Sequence, residues 1–307
     1  MQISRRIFNT EDTEVNGGRR GIARAPDPSI LPLPACASPP RTLRFNPARA
    51  PNARFLNSWL PAQKRRRPSR VPVLPVRAGR LSVRAMSSSP PAPPAREIIC
   101  ADAIAWMEER GRIEGACAVT SLPDVSEVGL ALPDWREWFL RAVRLVVEAV
   151  PETSAAVFFQ SDIKEGGRWI DKGALVISAA EEAGAQVLFH KLVCRRPPGT
   201  LTGGRPGYTH FIAVSRAMKC PDVLPIPDII TDPGRSLWIR AMGIRAAAHA
   251  VRFARDQVGA KLIFDPFCGV GTVPAVANAL GLDALGVEKA RKRAEQSRTA
   301  EVKSVDL

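Results

Sequence analysis

The stretch Lys261 to Lys289 reads KLIFDPFCGVGTVPAVANALGLDALGVEK, and its punctuation decides the fold. Leu262 to Phe264 is a short apolar run of the length expected for a buried parallel strand. Asp265 follows, then a tight turn in which Gly269 and Gly271 carry no Cβ. Such a turn permits positive φ and lets a ligand lie against the backbone. Val273 to Leu280 reads as a helix, with Pro274 tolerable because it falls in the first turn. A second strand, Ala284 to Val287, ends in Glu288, an acid about 20 residues past the glycines. A carboxylate there can accept both hydroxyls of a ribose diol. This is half of a nucleoside-binding crevice.

A dinucleotide site usually needs a third glycine for close helix packing and an open helix N-terminus for the pyrophosphate. Here the third-glycine position is Pro274, and Asp265 adds a negative charge at the mouth. That charge repels phosphate and suits a cationic ligand. S-adenosylmethionine carries an amino group, a sulfonium and no phosphate, so the substitutions point to it. The string Asp265-Pro266-Phe267-Cys268-Gly269-Val270-Gly271-Thr272 resembles motif I of class I methyltransferases that modify nucleic-acid amino groups. Gly286-Val287-Glu288 resembles their motif II. The resemblance implies that Asp265, Phe267, Gly269, Gly271, Thr272 and Glu288 hold the cofactor.

Upstream, strand and helix alternate. Strands are expected at Glu97–Cys100, Ala116–Thr120, Ala155–Gln160, Gln186–Val193 and Phe211–Ser215, the last hairpin-like. Helices are expected at Ala103–Arg110, Trp135–Val150, Lys172–Ala183, Leu237–Gln257 and Ala290–Val302. The pattern predicts an α/β domain, a mostly parallel sheet with helices on both faces. Five strands before the turn and two within its stretch make seven, the number in the Rossmann-like class I methyltransferase sheet. There the cofactor turn follows the first strand, but here it follows the sixth. A circularly permuted order resolves the count, with Glu97–Cys100 as third strand, Ala116–Thr120 as fourth and Lys261–Phe264 as first. Asp102 then lies at the carboxyl edge, where it can accept from an adenine amino group.

The permuted order resembles bacterial methyltransferases acting on adenine or cytosine amino groups, over roughly Glu97 to Arg298. Their fourth strand ends in a catalytic motif of Ser, Asp or Asn, then Pro-Pro, then an aromatic. An exocyclic base amine is a poor nucleophile because its lone pair is delocalised. Accepting both its hydrogens drives the nitrogen toward tetrahedral geometry and aims the lone pair at the methyl group. The aromatic stacks on the extruded base. Here the motif is Ser121-Leu122-Pro123-Asp124. Ser121 and Pro123 fit; Leu122 keeps a backbone carbonyl, but Asp124 cannot stack. Asp124 either accepts an amine hydrogen or the released proton, or caps the next turn. Tyr208 and Arg205, in GGRPGYTH, either supply a stacking platform and a phosphate contact or form a tight turn. Gln160-Ser161-Asp162 is a candidate lining of the acceptor pocket, and Trp238 and Arg240 of the cofactor's methionine end. His190 and His249 read as core groups, as do Trp135 and Trp138.

The chain has 307 residues and a net charge of +14. Residues 1–96 hold 18 basic and 4 acidic residues, so the whole excess lies there and the remainder is neutral. The globular part need not be a polyanion binder. Residues 1–85, rich in Pro, Arg, Ala and Ser, read as a disordered basic leader. Three readings compete: an organelle transit peptide, an extension upstream of a true start at Met86, or a basic tail that holds RNA. The first is preferred, and Val83-Arg84-Ala85 before Met86 favours chloroplast over mitochondrion; a start at Met86 would make the protein cytoplasmic. Residues 86–96 are a Pro/Ser linker, and 97–307 the methyltransferase domain. No apolar run approaches the ~20 residues of a membrane span, so no membrane partner is expected. The six cysteines form no C-x-x-C pair, and no metal is expected.

The resulting expectation is a methyltransferase using S-adenosyl-L-methionine on an amino group in nucleic acid, rRNA or tRNA before DNA. A small-molecule or protein methyltransferase, and a non-catalytic RNA-binding or assembly factor, are the alternatives. The sequence leaves the oligomeric state open.

Overall fold

A computed structural model describes residues 92–307 apart from Arg240. The leader and most of the linker lie outside the described residues, as does Arg240.

The chain runs β1 (Arg96–Ile99), α1 (Ala103–Arg110), β2 (Ala116–Thr120), α2 (Val125–Val128), α3 (Leu132–Ala149) and β3 (Ala156–Gln160). A small hairpin, β4 (Ile163–Glu165) and β5 (Arg168–Ile170), precedes α4 (Lys172–Glu182), β6 (Gln186–Cys194), β7 (Tyr208–Ser215) and β8 (Ile229–Ile230). Then come α5 (Ile244–Phe253), β9 (Leu262–Asp265), α6 (Thr272–Ala279), β10 (Asp283–Val287) and α7 (Arg291–Thr299). Eight strands form one sheet in the order β1–β10–β9–β2–β3–β7–β6–β8. The first five pair in parallel, and β7 runs antiparallel to both β3 and β6. The late strand β9 thus lies between β10 and β2, the adjacency that the permuted count requires.

Alternation along the central strands separates two cores. Ala116, Ala118, Phe158 and Phe264 face one side, packed with α1, α3 and α4. Cys117, Val119, Val157 and Ile263 face the other, packed with α5 and α6. Both faces of these strands are buried, as their unbroken apolar runs require. In α3, Trp135, Phe139, Ala142, Val143 and Val146 recur at helical spacing and are fully buried. This helix begins at Leu132, earlier than expected, because Pro133 fits a first turn.

Three expectations need correction. The helix expected over Leu237–Gln257 starts only at Ile244. Residues 236–243 instead form a strap closed by a Ser236–Gly243 bridge, and a Cβ on Gly243 would lie 2.7 Å from the Pro233 carbonyl carbon. Its other end widens into a π-turn, Ala254–Val258, and stops at Gly259, whose φ is 74°. Strand β7 begins at Tyr208, opposite Cys194, so Tyr208 is a strand residue rather than part of the preceding loop. The sheet has eight strands, not seven, because Ile229–Ile230 adds to the edge of β6.

Candidate functional site

The carboxyl ends of β9, β2, β10 and β1 open onto one cavity of about 550 Å³. Asp102, Ser121, Pro123, Asp265, Phe267, Gly269, Thr272 and Glu288 all line it. Gly269, with φ 55°, has open space where a Cβ would stand. Gly271 does not line the cavity. Its φ of 88° makes the turn, and a Cβ there would lie 2.7 Å from Ser297 Cα, so it lets α7 approach. The two glycines of the motif have different jobs, one toward a ligand and one toward a helix.

Asp265 is 4% exposed, inside the fold rather than at its mouth. Its Oδ1 accepts from the Thr120 hydroxyl at 2.7 Å and from the Phe267 amide at 3.2 Å. Burial pushes the carboxyl up to about 7; those two bonds pull it down, and the charge of Glu288 adds to the rise. Glu288 is buried at the end of β10, and its Oε1 takes the Ala290 amide at 2.7 Å and Arg293 at 3.0 Å. Asp102 caps α1: Oδ1 accepts from the Ile104 and Ala105 amides, and Oδ2 from Lys289 at 3.1 Å. Partial burial pushes its carboxyl up, but Lys289 and the two amides outweigh this and hold it low. Thr272 Oγ1 is buried in the cavity with no hydrogen-bond partner among the described residues. A buried hydroxyl in that state costs free energy that a bound polar ligand would recover.

A second cavity of about 340 Å³ adjoins the first, and Ser121, Leu122, Glu127, Ala241 and Met242 line both. The strap borders each: Trp238 lines the first and Ile239 the second. Arg205 and Asp124 line the second cavity and are paired, Nη2 to Oδ2 at 2.7 Å. The other oxygen of Asp124 holds Lys172 Nζ at 2.6 Å, and that lysine side chain is only 2% exposed. Burial depresses the lysine, while the charge of Asp124 supports it. Asp124 also heads α2, its amide donating to Glu127 Oε2 at 3.0 Å. Nothing in its sequence neighbourhood announced Lys172, because the lysine arrives from α4, 48 residues later.

Tyr208 lines neither cavity; its hydroxyl donates to Asp162 Oδ2 at 3.1 Å. Asp162 Oδ1 accepts from the Lys172 amide at 2.9 Å and bonds His210 Nε2 at 3.0 Å, and His210 Nδ1 meets His190 Nε2 at 2.9 Å. Asp162, Asp171 and His210 could bring three ligand atoms within 4.8 Å of one another. Asp162 and His210 already satisfy each other there, and Asp171 Oδ1 caps α4 through the Ala174 amide. Of the Gln160-Ser161-Asp162 candidates, Ser161 lines the second cavity.

No family model and no curated protein matches the sequence. Solved structures do match the fold. A DNA modification methylase of Thermus thermophilus, so assigned from its own structure's description, superposes with a TM-score of 0.51 at 18% identity, over 66% of this chain and 92% of that one. The same protein complexed with S-adenosyl-L-methionine gives 0.51 at 17%, over 66% and 91%. PvuII DNA methyltransferase, cytosine-N4-specific, gives 0.54 at 12%, over 67% and 87%. The described domain therefore has the α/β fold of class I methyltransferases, and within that class it is similar to DNA methylases.

Proposed function

We propose that the chain is an S-adenosyl-L-methionine-dependent methyltransferase acting on an amino group in nucleic acid, with RNA preferred to DNA. The observation that carries the reading is the shared wall: Ser121 and Leu122 border two adjoining cavities, one lined by the motif I and motif II residues. The residues fit the cofactor. Thr272 has an unspent hydroxyl, Glu288 a buried carboxylate, and ionised Asp265 a charge suited to a cation. When bound, the cofactor supplies an electrophilic methyl group. The Ser121 hydroxyl, at the end of β2, is the side chain assigned to accept an amine hydrogen at the junction.

The preference for organellar rRNA or tRNA follows from the leader's composition, which supports a chloroplast address, with mitochondrion as the second choice. One observation favours a non-catalytic RNA-binding or assembly factor: Asp124, where the resemblance calls for an aromatic, is committed to Lys172 and Arg205. A small-molecule or protein acceptor fits the same departure. The deciding experiment incubates the protein with methyl-labelled S-adenosylmethionine and fractionated organellar RNA, DNA and protein. Label in RNA is expected; label in no fraction, despite cofactor binding, would establish the non-catalytic reading.

A further inference from the structure

We infer that the second cavity recognises its acceptor by negative charge, with Arg195 and Arg205 receiving a phosphate group and the buried Asp124–Lys172 pair holding Arg205 in place. This deepens the methyltransferase reading and rests on it only in calling the phosphate part of an acceptor.

The resemblance assigns the fourth motif position to a ring that stacks on a base. Asp124 instead spends both carboxylate oxygens on cations, Oδ1 on Lys172 and Oδ2 on Arg205. It is thus unsuited to receive an amine hydrogen, and its effect is to fix two cations in the cavity wall. Arg195 is the third: it lines the same cavity and reaches Ser161 Oγ at a long 3.3 Å. Against Lys172, Arg195 and Arg205 stand only Asp124 and Glu127, which leaves one excess positive charge around the cavity. The single aromatic in its lining, Phe159, is 2% exposed and already stacked on Phe211 at 4.5 Å, so it offers little face to a base.

The two arginines are close enough to disfavour each other's charge: burial lowers Arg195 first, and the charge of Arg205 lowers it further. An anion between them removes that repulsion. Guanidinium groups suit phosphate because their planar donor forks bind two oxygens at once. Arg205 uses Nη2 for Asp124, which leaves its remaining donors for such a ligand. The loop that carries both residues is closed at its base, where the Arg195 and Arg196 amides donate to the Gly207 carbonyl at 2.7 and 3.1 Å. The pair therefore stands at a fixed neck rather than on a loop tip. The phosphate could be the diester of a polynucleotide or the monoester of a small molecule, and the chemistry of recognition is shared.

The test uses the full chain and a readout local to these arginines, so the basic leader does not mask it. The protein is treated with phenylglyoxal, and modification at each arginine is followed by peptide mass mapping. The reaction is run alone and with inorganic phosphate, adenosine 5′-monophosphate, a single-stranded RNA hexamer, or uncharged adenosine. Arg195 and Arg205 should be protected about tenfold at a probe concentration ten times its Kd, while exposed Arg168 on β5 reacts unchanged. Protection by phosphate and the monophosphate identifies a monoester, and protection by the hexamer alone a polynucleotide diester. Asp124→Asn should weaken protection of Arg205. Equal modification with and without every charged probe, or equal protection by adenosine, overturns the proposal. Calorimetry with S-adenosylmethionine on the same sample separates the two readings: failure to bind it removes the methyltransferase assignment and leaves the arginine result standing.

Discussion

The Thr120 hydroxyl donates to Asp265 Oδ1 at 2.7 Å, joining the end of the strand that leads into the Ser121 motif to the end of the strand that leads into the glycine turn. Two loops 145 residues apart in sequence are thereby set against one cavity. Thr120→Val keeps the shape and removes the donor. It should cost about 1–3 kcal/mol of stability, as for other buried polar groups that lose a partner, and raise the Asp265 pKa further. Denaturant unfolding checks the first effect, and cofactor affinity against pH the second.

Asp265 makes stability and ligand affinity respond to pH in opposite directions. Its carboxyl rises from 3.8 to about 7 on folding. The native state therefore holds the proton more tightly, and the contribution to stability is complete below 3.8 and lost as pH climbs through about 7. A cationic ligand prefers the ionised form, so its affinity should increase about tenfold between pH 6 and pH 8. Asp265→Asn should flatten both curves. Thermal unfolding and calorimetry with S-adenosylmethionine across that range read them.

The glycines of the turn should respond differently to alanine. Gly271→Ala brings a Cβ onto Ser297 at a φ of 88° and should destabilise the domain by more than about 2 kcal/mol, through strain plus overlap. Gly269→Ala meets open space, so only the left-handed backbone costs, about 1–2 kcal/mol. The new methyl group enters the cavity, so cofactor affinity should fall even where the protein stays folded. Comparing unfolding and binding for the two variants separates the roles.

Asp124→Ala strands Lys172, a cation 2% exposed, without its carboxylate. Breaking a buried pair in this way costs about 3–5 kcal/mol. The double variant Asp124→Ala/Lys172→Met removes both charges and should recover a large part of that loss. A double-mutant cycle by chemical denaturation measures it; no recovery would mean that the pair does not carry the stability.

The central fold was legible because it is written in local signals. Buried runs such as Ala116–Thr120 and Leu262–Phe264, glycine at the turn and an acid after β10 each have a chemistry readable from neighbouring residues. The strap was not legible, because the helical pattern continues through Leu237–Met242 and only the approach of Pro233 to Gly243 forbids it. The β4–β5 hairpin could have been found: Gly166 and Gly167, both at positive φ, form the two-residue turn that such hairpins favour. Most of the cofactor cavity followed from its motif, since Asp265, Phe267, Gly269 and Thr272 lie within eight residues. The Asp124–Lys172–Arg205 cluster and the Asp162–His210–His190 chain did not, since each is assembled from separate elements brought together only by the sheet.

Leu122 is 3% exposed, yet it touches both chambers. The divider between them is therefore one residue deep. Groups that react must come within about 3–3.5 Å of each other, a gap that a whole helix or strand would hold open. A hydrophobic side chain in that position keeps water from leaking across the threshold while leaving the doorway narrow enough to reach through.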